Sequence, residues 1–269
     1  QIYNVLSKEA RGLKKFFLKF WSLRKVRFCL SGAAPLKRTI TDHFHKAFGL
    51  HILEGYGLTE TSPVVTINPP KGRKHGSVGR AIPGVKIRIL GEDGRDLSHG
   101  EDGEIAVMGP NITRGYHGNE TATRELFTQD GWLKTGDIGV LDTDGFLFIR
   151  DRKKDMVIVK GLKVFPAQIE HTICTHPKVL ENAVIGIPDN SGNETMKCFV
   201  VPRPDVTLEK GEIMKFIKEN FDAYKRPREV EVVSALPKNA LQKVLKRELL
   251  RKELEKRAKA SAEAIVEKA

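Results

Sequence analysis

The segment Gly55-Tyr56-Gly57-Leu58-Thr59-Glu60-Thr61-Ser62-Pro63 is the most informative stretch of this chain. Two glycines flank an aromatic residue, so the backbone can approach a flat ligand closely while the ring offers a stacking surface. Thr59 and Glu60 add a hydroxyl group and a hard carboxylate oxygen of the kind that magnesium prefers. A nucleotide with bound magnesium would use all four features, whereas the ordinary alternative is a glycine turn that holds a tyrosine.

The residues before this segment alternate between strand and helix patterns. Residues 26–30 predict a buried strand, and a helix is expected over 36–48 because the pattern ends at a glycine. Ser31-Gly32-Ala33-Ala34-Pro35 connects the two, and small residues at such a turn allow a ligand to come close. A short strand over 51–53 then leads into the quoted segment, an order that is typical of an α/β fold.

The rest of the chain predicts two further pieces. From about residue 79, short alternating strands separated by glycine-rich turns predict a small β-barrel-like subdomain. The densest charge run, Arg150-Asp151-Arg152-Lys153-Lys154-Asp155, predicts a domain boundary. We therefore expect an α/β and α+β multidomain chain: 1–78 ends a large α/β domain, 79–151 is the barrel-like subdomain, and 152–269 is a small mobile α+β domain.

Composition sets further bounds. The chain has 269 residues, 40% of them hydrophobic, which is enough for two compact units. No apolar run approaches the roughly 20 residues that a bilayer span requires, so we expect a cytoplasmic protein. The net charge of +12 fits an anionic partner, which could be nucleic acid, an acidic membrane surface or a polyphosphate ligand. Cys29, Cys174 and Cys198 lack metal-ligand spacing and are expected to be reduced core residues.

Two more constellations bear on nucleotide chemistry. In Trp132-Leu133-Lys134-Thr135-Gly136-Asp137, the final carboxylate could accept hydrogen bonds from both ribose hydroxyls, and Arg152 supplies a guanidinium for ribose or phosphate. In Pro237-Lys238-Asn239-Ala240-Leu241-Gln242-Lys243, a lysine on a loop before the last helix could carry a cation to a phosphate. Taken singly, each has a plain alternative: a turn aspartate, a solvated arginine and a solvent-facing lysine.

In their joint order and spacing, these motifs resemble the adenylate-forming superfamily of acyl-coenzyme A synthetases, luciferases and peptide-synthetase adenylation domains. The resemblance runs from about residue 26 to residue 249, and 56–63 together with 151–155 is most similar to bacterial long- and medium-chain fatty acid–CoA ligases. It implies that a fatty acid is activated by ATP and Mg²⁺ as its acyl-adenylate and then passed to coenzyme A. Nucleic-acid binding is not expected.

The resemblance also implies residue roles at ATP and AMP. The residues that would contact adenine, ribose or phosphate are Ala33, Ala34, Pro35, Gly55, Tyr56, Gly57, Leu58, Thr59, Asp137, Arg152 and Lys163. Among them, Tyr56 would lie against the base, Thr59 on the α-phosphate and Asp137 on the ribose hydroxyls. Glu60 would hold magnesium, so Thr59 and Glu60 are catalytic candidates together with Lys243.

The smaller domain would alternate between two half-reactions. Lys243 would stabilise charge on the phosphoryl oxygens while the carboxylate attacks the α-phosphorus. The domain would then rotate about Lys154, withdraw Lys243, and present Lys160 and Gly161 to the pantetheine arm of coenzyme A.

Two departures from the family pattern matter. Gln242 stands where the family has glycine, and the phosphate loop ending in Pro-Lys-Gly has no match in this chain. We therefore expect a fragment of a larger ligase, inactive without the amino-terminal part that builds most of the acyl tunnel. The open alternatives are a non-enzymatic nucleotide- or CoA-binding module, a related ligase for aryl or amino acids, and charge-driven peripheral membrane association.

Overall fold

The computed structural model describes residues 3, 6, 18, 21, 23–32, 36, 38–189, 193–240 and 243–266. They divide into two units, Gln1–Ile149 and Arg150–Ala269. Four residues that the sequence singled out, Ala33, Ala34, Pro35 and Gln242, lie outside the described ranges. Within these ranges, none of the helices combines the length with the hydropathy that a membrane span demands.

The first unit begins with a small mixed sheet. Its elements are β1 (Cys29–Ser31), α1 (Arg38–Phe48), β2 (Ile52–Tyr56), β3 (Thr66–Ile67) and β4 (Arg80–Ala81). β1 and β2 are parallel and need a crossover, which α1 supplies, while β3 and β4 extend the sheet in antiparallel fashion. Phe44 and Phe48 lie one helical turn apart and pack against Cys29 and Ile52. This helix therefore holds β2, and with it the start of the glycine-tyrosine segment, in place.

A second sheet completes this unit, with the strand order β5-β6-β7-β8. Its elements are β5 (Lys86–Leu90), β6 (Gly103–Met108), α2 (Glu120–Leu126), β7 (Leu133–Leu141) and β8 (Leu147–Arg152). The predicted barrel is wrong, because the described strands form an open sheet. Leu147 on β8 donates to Gly79 O at 2.8 Å and accepts from Val78 N at 2.8 Å, so the outer edge of β8 is covered by this segment and not by β5.

The second unit is an α+β domain, as expected. Its elements are β9 (Val157–Val159), β10 (Leu162–Val164), α3 (Pro166–Ile173), β11 (Val179–Pro188), β12 (Glu194–Pro202), α4 (Lys210–Asn220), β13 (Glu229–Val232) and α5 (Lys246–Val266). β11, β12 and β13 form one sheet, and β9 pairs with β10 in a separate hairpin. α3 begins with Pro166, whose missing N–H has no helical partner at that position in any case.

The three-stranded sheet is buried on both faces. Along β12, Cys198 and Val200 join one cluster with residues of α3 and α4, whereas Phe199 and Val201 join another with Leu249 of α5. Successive residues of a strand point to opposite faces, so this continuous apolar run serves two helical layers. The sheet therefore fixes α5 and the chain that leads into it.

Candidate functional site

The segment after β2 is a compact turn held by its own hydrogen bonds. Thr61 is fully buried, and its hydroxyl oxygen lies 2.9 Å from Leu58 N, Leu58 O and Pro63 O. A Cβ at Gly57 would overlap the backbone carbonyl of Pro63, so only glycine allows the two stretches of backbone to approach this closely. The turn leaves Thr59 exposed to solvent.

A second loop, residues 111–116, fastens this turn. Tyr116 Oη donates to Glu60 Oε1 at 2.8 Å, and Thr113 N donates to Glu60 O at 2.8 Å. Asn111 Nδ2 donates to Thr61 O at 2.6 Å and to a further carbonyl of the turn at 2.8 Å. Sequence reasoning missed these residues, although Gly115-Tyr116 repeats the glycine-tyrosine pair of the first segment. The hydrogen bond to Glu60 raises the pKa of Tyr116 above its usual value.

Asp137 projects from a bulge in β7. Glu104 of β6 pairs with Ile138 of β7, and Ala106 pairs with Lys134. One residue of β6, Ile105, therefore lies opposite three residues of β7, 135–137. Gly136 takes a positive φ of 70°, and the Thr135 hydroxyl donates to Ile105 O at 2.8 Å, which satisfies the carbonyl that the bulge removes from the ladder. Such bulges re-aim a side chain, here that of Asp137.

The bulge brings Asp137 to Tyr56. Tyr56 Oη donates to Asp137 Oδ2 at 2.6 Å, and the Tyr56 ring packs against the core under the second sheet. Asp137 itself is only 6% exposed. Two residues that sequence reasoning assigned to one adenosine are thus in direct contact, and the carboxylate is held by a donor instead of rotating freely.

Glu54, the residue before the glycine-tyrosine segment, is bonded to the chain at the start of the crossover between β1 and β2. Its Oε2 accepts from Leu36 N at 3.3 Å, and burial raises the pKa of this carboxyl above its usual range. Leu36 directly follows residues 33–35, which lie outside the described ranges.

The chemistry of Glu60 suits magnesium that arrives with a nucleotide. Among the described residues, no group of three or more His, Cys, Asp and Glu side chains is arranged to hold a metal ion. Glu60 offers a single carboxylate, of which one oxygen is engaged by Tyr116. Magnesium is usually bound by one or two carboxylates together with substrate phosphates and water, so one carboxylate fits the ion.

In the second unit, the residues with predicted roles are all exposed to solvent: Arg152, Lys154, Lys160, Gly161, Lys163 and Lys243. Arg152 ends β8, and Lys154 lies in the short 3₁₀ turn that follows it. Lys160 and Gly161 form the turn between β9 and β10, with φ of 51° and 78°. A two-residue hairpin turn with both φ values positive is a type I′ turn, in which lysine is unusual and strained.

A pocket of about 290 Å³ lies beside this hairpin turn. Lys160, Tyr224, Arg226 and Arg228 contribute to its wall, together with the acidic Asp189 and Glu194. Arg226 donates through Nε and Nη2 to carbonyls at the end of α4, at 2.7 and 3.0 Å. None of these wall residues other than Lys160 was found by sequence reasoning, because they come from the hairpin, the residue after β11, the start of β12 and the segment before β13, which lie apart in the chain.

The Lys243 loop, defined as residues 237–240 and 243–245, pairs its two ends and leads into α5. Lys243 N donates to Asn239 Oδ1 at 3.0 Å, Asn239 N donates to Lys243 O at 3.0 Å, and Leu245 N donates to Pro237 O at 2.8 Å. Lys243 forms no ion pair with any residue that the structure describes. Its backbone is fixed and its side chain is available. Tyr56 and Asp137 belong to the first unit and Lys243 to the second, so their expected convergence stays a prediction.

Two protein-family models match this chain. The model of the AMP-binding enzyme family matches residues 2–117, and the model of the AMP-binding enzyme C-terminal domain matches residues 168–243. A long-chain-fatty-acid–CoA ligase of Yersinia pestis is 42% identical over 225 residues, which cover 83% of this chain and 40% of the relative.

Solved structures are similar to this chain as well. ATP-bound MatB from Rhodopseudomonas palustris has a TM-score of 0.78 at 36% identity, covering 84% of this chain and 45% of that one. The o-succinylbenzoate–CoA synthetase MenE from Bacillus subtilis, in complex with ATP and magnesium, has a TM-score of 0.74 at 32% identity, covering 86% and 49%. The chain spans about two fifths of the length of the curated relatives it matches. The resemblance inferred from the motifs is confirmed: this chain belongs to the family of AMP-binding enzymes.

Proposed function

We propose that the protein to which this chain belongs is an ATP-dependent, AMP-forming ligase that joins a fatty acid to coenzyme A. The observation that carries the proposal is the hydrogen bond between Tyr56 and Asp137, which gives an adenosine both an aromatic surface and a fixed carboxylate. The fatty acid is favoured because the Yersinia pestis relative is a long-chain-fatty-acid–CoA ligase.

In the first half-reaction, the residues of this chain hold ATP for attack by the substrate carboxylate on the α-phosphorus. The ribose hydroxyls donate to Asp137, and the exposed Thr59 hydroxyl donates to an α-phosphate oxygen. The Lys243 ammonium lies against the phosphoryl oxygens as negative charge grows there, which lowers the barrier. A bond forms between the acyl oxygen and phosphorus, and pyrophosphate leaves.

Glu60 would hold Mg²⁺, and the bound ion would supply charge neutralisation for the triphosphate. Tyr116 keeps one Glu60 oxygen engaged and so orients the carboxylate toward the nucleotide.

In the second half-reaction, the coenzyme A thiol attacks the acyl carbonyl and AMP leaves. The turn at Lys160 and Gly161 meets the pantetheine arm, since Gly161 has no side chain to obstruct a thin substituent. The adjoining pocket offers the Tyr224 ring and the Arg228 guanidinium to the phosphorylated adenosine end of coenzyme A. Rotation about Lys154 exchanges the Lys243 loop for this hairpin.

The test is a substrate panel with the full-length protein. Fatty acids of several lengths, aryl acids and amino acids are each incubated with ATP, Mg²⁺ and coenzyme A, and AMP and acyl-CoA are measured. Turnover of fatty acids supports the proposal. Turnover of aryl acids alone would support the second candidate, an aryl acid–CoA ligase, which the similarity to MenE favours. Absence of acyl-CoA with every acid would leave a non-enzymatic binding module.

A variant separates the half-reactions. Lys243→Ala is expected to lower acyl-adenylate formation by about 100-fold or more, because a preorganised cation is lost. Thioester formation from supplied acyl-adenylate should be largely spared. Lys252→Ala, which removes an exposed lysine paired with Glu248 on α5, is the matched control and should change neither step. Equal losses in both steps would contradict the domain alternation.

The location of the protein belongs to the same proposal. We propose that the enzyme works in the cytoplasm and that its positive charge supports peripheral contact with acidic membranes. Salt-sensitive co-sedimentation with phosphatidylserine vesicles tests the second part; equal recovery with neutral vesicles would contradict it.

A further inference from the structure

A largely buried ion pair holds the carboxyl-terminal end of the Lys243 loop in place. Lys246 is the first residue of α5, and its Nζ lies 2.8 Å from Glu170 Oε1 on α3. The two side chains are only 19% and 20% exposed. A charge pair this far from water is retained only where both partners are well placed, and removing one partner strands the other.

Glu170 is itself rigidly held. Its Oε1 also accepts from Val184 N of β11 at 2.7 Å. The Glu170 carboxylate therefore connects α3, β11 and Lys246. Its ion pair with Lys246 holds the end of the Lys243 loop at a fixed place on the core of the second unit.

Asp151, three residues before the proposed hinge residue Lys154, is bonded to the same helix, α3. Its Oδ2 accepts from Ala167 N at 2.7 Å and its Oδ1 from Arg152 N at 2.8 Å. Burial alone would lower the pKa of Lys246, but attraction by Glu170 and Asp151 outweighs burial, and the pKa is raised. Two buried carboxylates share one cation, so burial still raises the pKa of Asp151 and Glu170.

An ion pair also holds the amino-terminal end of the loop. Lys238 Nζ lies 2.6 Å from Glu181 Oε2, with both side chains about a quarter exposed, and Lys238 pairs with Val244 across the loop. The loop is thus fastened at both ends to the body of the second unit, and at Lys246 the partner lies on α3, the helix that also bonds Asp151.

We propose that Lys246 is a positioning residue: its ion pair with Glu170 ties the Lys243 loop to α3, the helix whose Ala167 N is bonded to Asp151, so that the loop and the chain just before Lys154 move as one body. The inference rests on the proposed function, because it concerns delivery of Lys243 to a phosphate. When the domain rotates about Lys154, Lys243 then moves together with the rest of the domain.

A different network secures the rest of α5. Lys197 Nζ lies 2.7 Å from Glu253 Oε2 and 2.7 Å from Glu231 Oε2, and the Lys197 and Glu253 side chains are each 5% exposed. Leu249 adds apolar contact between α5 and the sheet. The helix therefore has its own anchors, and the Lys246 pair is left to set the geometry of the loop.

The test uses the full-length enzyme with Lys246→Met, the conservative Lys246→Arg, and Lys252→Met as the exposed control on the same helix. Lys246→Met is expected to lower kcat for acyl-adenylate formation by about 100-fold, as misplacement of a catalytic group by about 1 Å does. The KM for ATP and thioester formation from supplied acyl-adenylate should stay within about threefold, since neither depends on where Lys243 lies. Lys246→Arg should restore most of the rate, and Lys252→Met should match wild type.

Amide hydrogen exchange on this chain gives a readout that is independent of turnover. The Lys243 and Leu245 amides should exchange about tenfold faster in Lys246→Met, because their hydrogen bonds open more often when the ion pair with Glu170 is absent. Unchanged exchange of these amides, or equal losses in both half-reactions, would overturn the inference. If wild type forms no acyl-adenylate with any acid, the proposed function fails, and the exchange result still decides whether Lys246 positions the loop.

Discussion

Replacement of Asp137 by asparagine in the full-length protein probes the proposed ribose contact most directly. The substitution keeps the size of the side chain and leaves one carbonyl oxygen for the hydroxyl of Tyr56, which now lies 2.6 Å from Oδ2. It removes the negative charge and replaces one acceptor with a donor. Because the backbone bulge and not side-chain packing aims this residue, the variant should keep its place.

The size of the effect follows from the hydrogen bonds involved. A hydrogen bond to a charged group contributes about 1.5–3 kcal/mol, against about 0.5–1.5 kcal/mol for a neutral pair. Loss of one ribose bond and of charge assistance to the other should cost about 2–3 kcal/mol, which lowers kcat/KM for ATP by about 30- to 150-fold.

The assay compares ATP with 2′-deoxy-ATP in the wild type and the variant. In the wild type, removing the hydroxyl should lower kcat/KM by about 10- to 100-fold, because a charged acceptor loses its donor. In Asp137→Asn the same removal should matter by only about 2- to 10-fold. Asp96→Asn, which alters an exposed carboxylate of the same unit, is the control and should discriminate as wild type does. If Asp137→Asn keeps the full wild-type discrimination, the carboxylate does not bind the ribose.

The remaining predictions concern stability and the two turns. Lys197→Met should lower the free energy of unfolding in urea by about 1.5–3 kcal/mol at pH 7, because it removes one of the two cations paired with the buried Glu253, the other being Arg257. Burial alone would raise the pKa of Glu253, but Lys197 holds it below its usual value; the stability this gives is present above the unfolded pKa and lost in acid, so the deficit should shrink below about pH 4. A deficit that stays constant with pH would contradict this linkage. Gly57→Ala should abolish ATP binding by calorimetry, since a methyl group has no room there, whereas Gly211→Ala in open space should bind normally; equal binding by both would refute the steric argument. Lys160→Asn should raise the unfolding free energy by up to about 1 kcal/mol by relieving left-handed strain, yet slow thioester formation from supplied acyl-adenylate; faster thioester formation would exclude a role for the ammonium.

Local sequence patterns predicted the elements of the fold well, because their signals are local. The pattern that ends at a glycine predicted a helix over 36–48, where α1 spans Arg38–Phe48, and the strand expected over 51–53 overlaps β2 (Ile52–Tyr56). The open sheet was not predictable, since it depends on Val78 and Gly79 reaching the edge of β8, and no local pattern encodes such a contact.

The sequence predicted several residues of the candidate site, but not the contacts that these residues make with one another. Tyr56 and Asp137 carried motif signals, yet their hydrogen bond depends on a bulge that nothing in the local alternation of β7 announces. Tyr116 and Lys246 were missed because each acts on a residue that lies far away in the chain. Contacts of this kind arise from tertiary packing, and they produce no periodic pattern of hydrophobic residues from which they could be predicted.

The bulge at residues 135–137 makes the candidate site unequally tolerant of different kinds of mutation. Neighbouring side chains can vary, because backbone geometry and the hydroxyl of Thr135 set the course of the chain. The loss or gain of one codon there would instead shift the pairing of β7 by one position and turn its side chains to the opposite face. Homologues are therefore expected to accumulate point changes around this stretch while keeping its length constant.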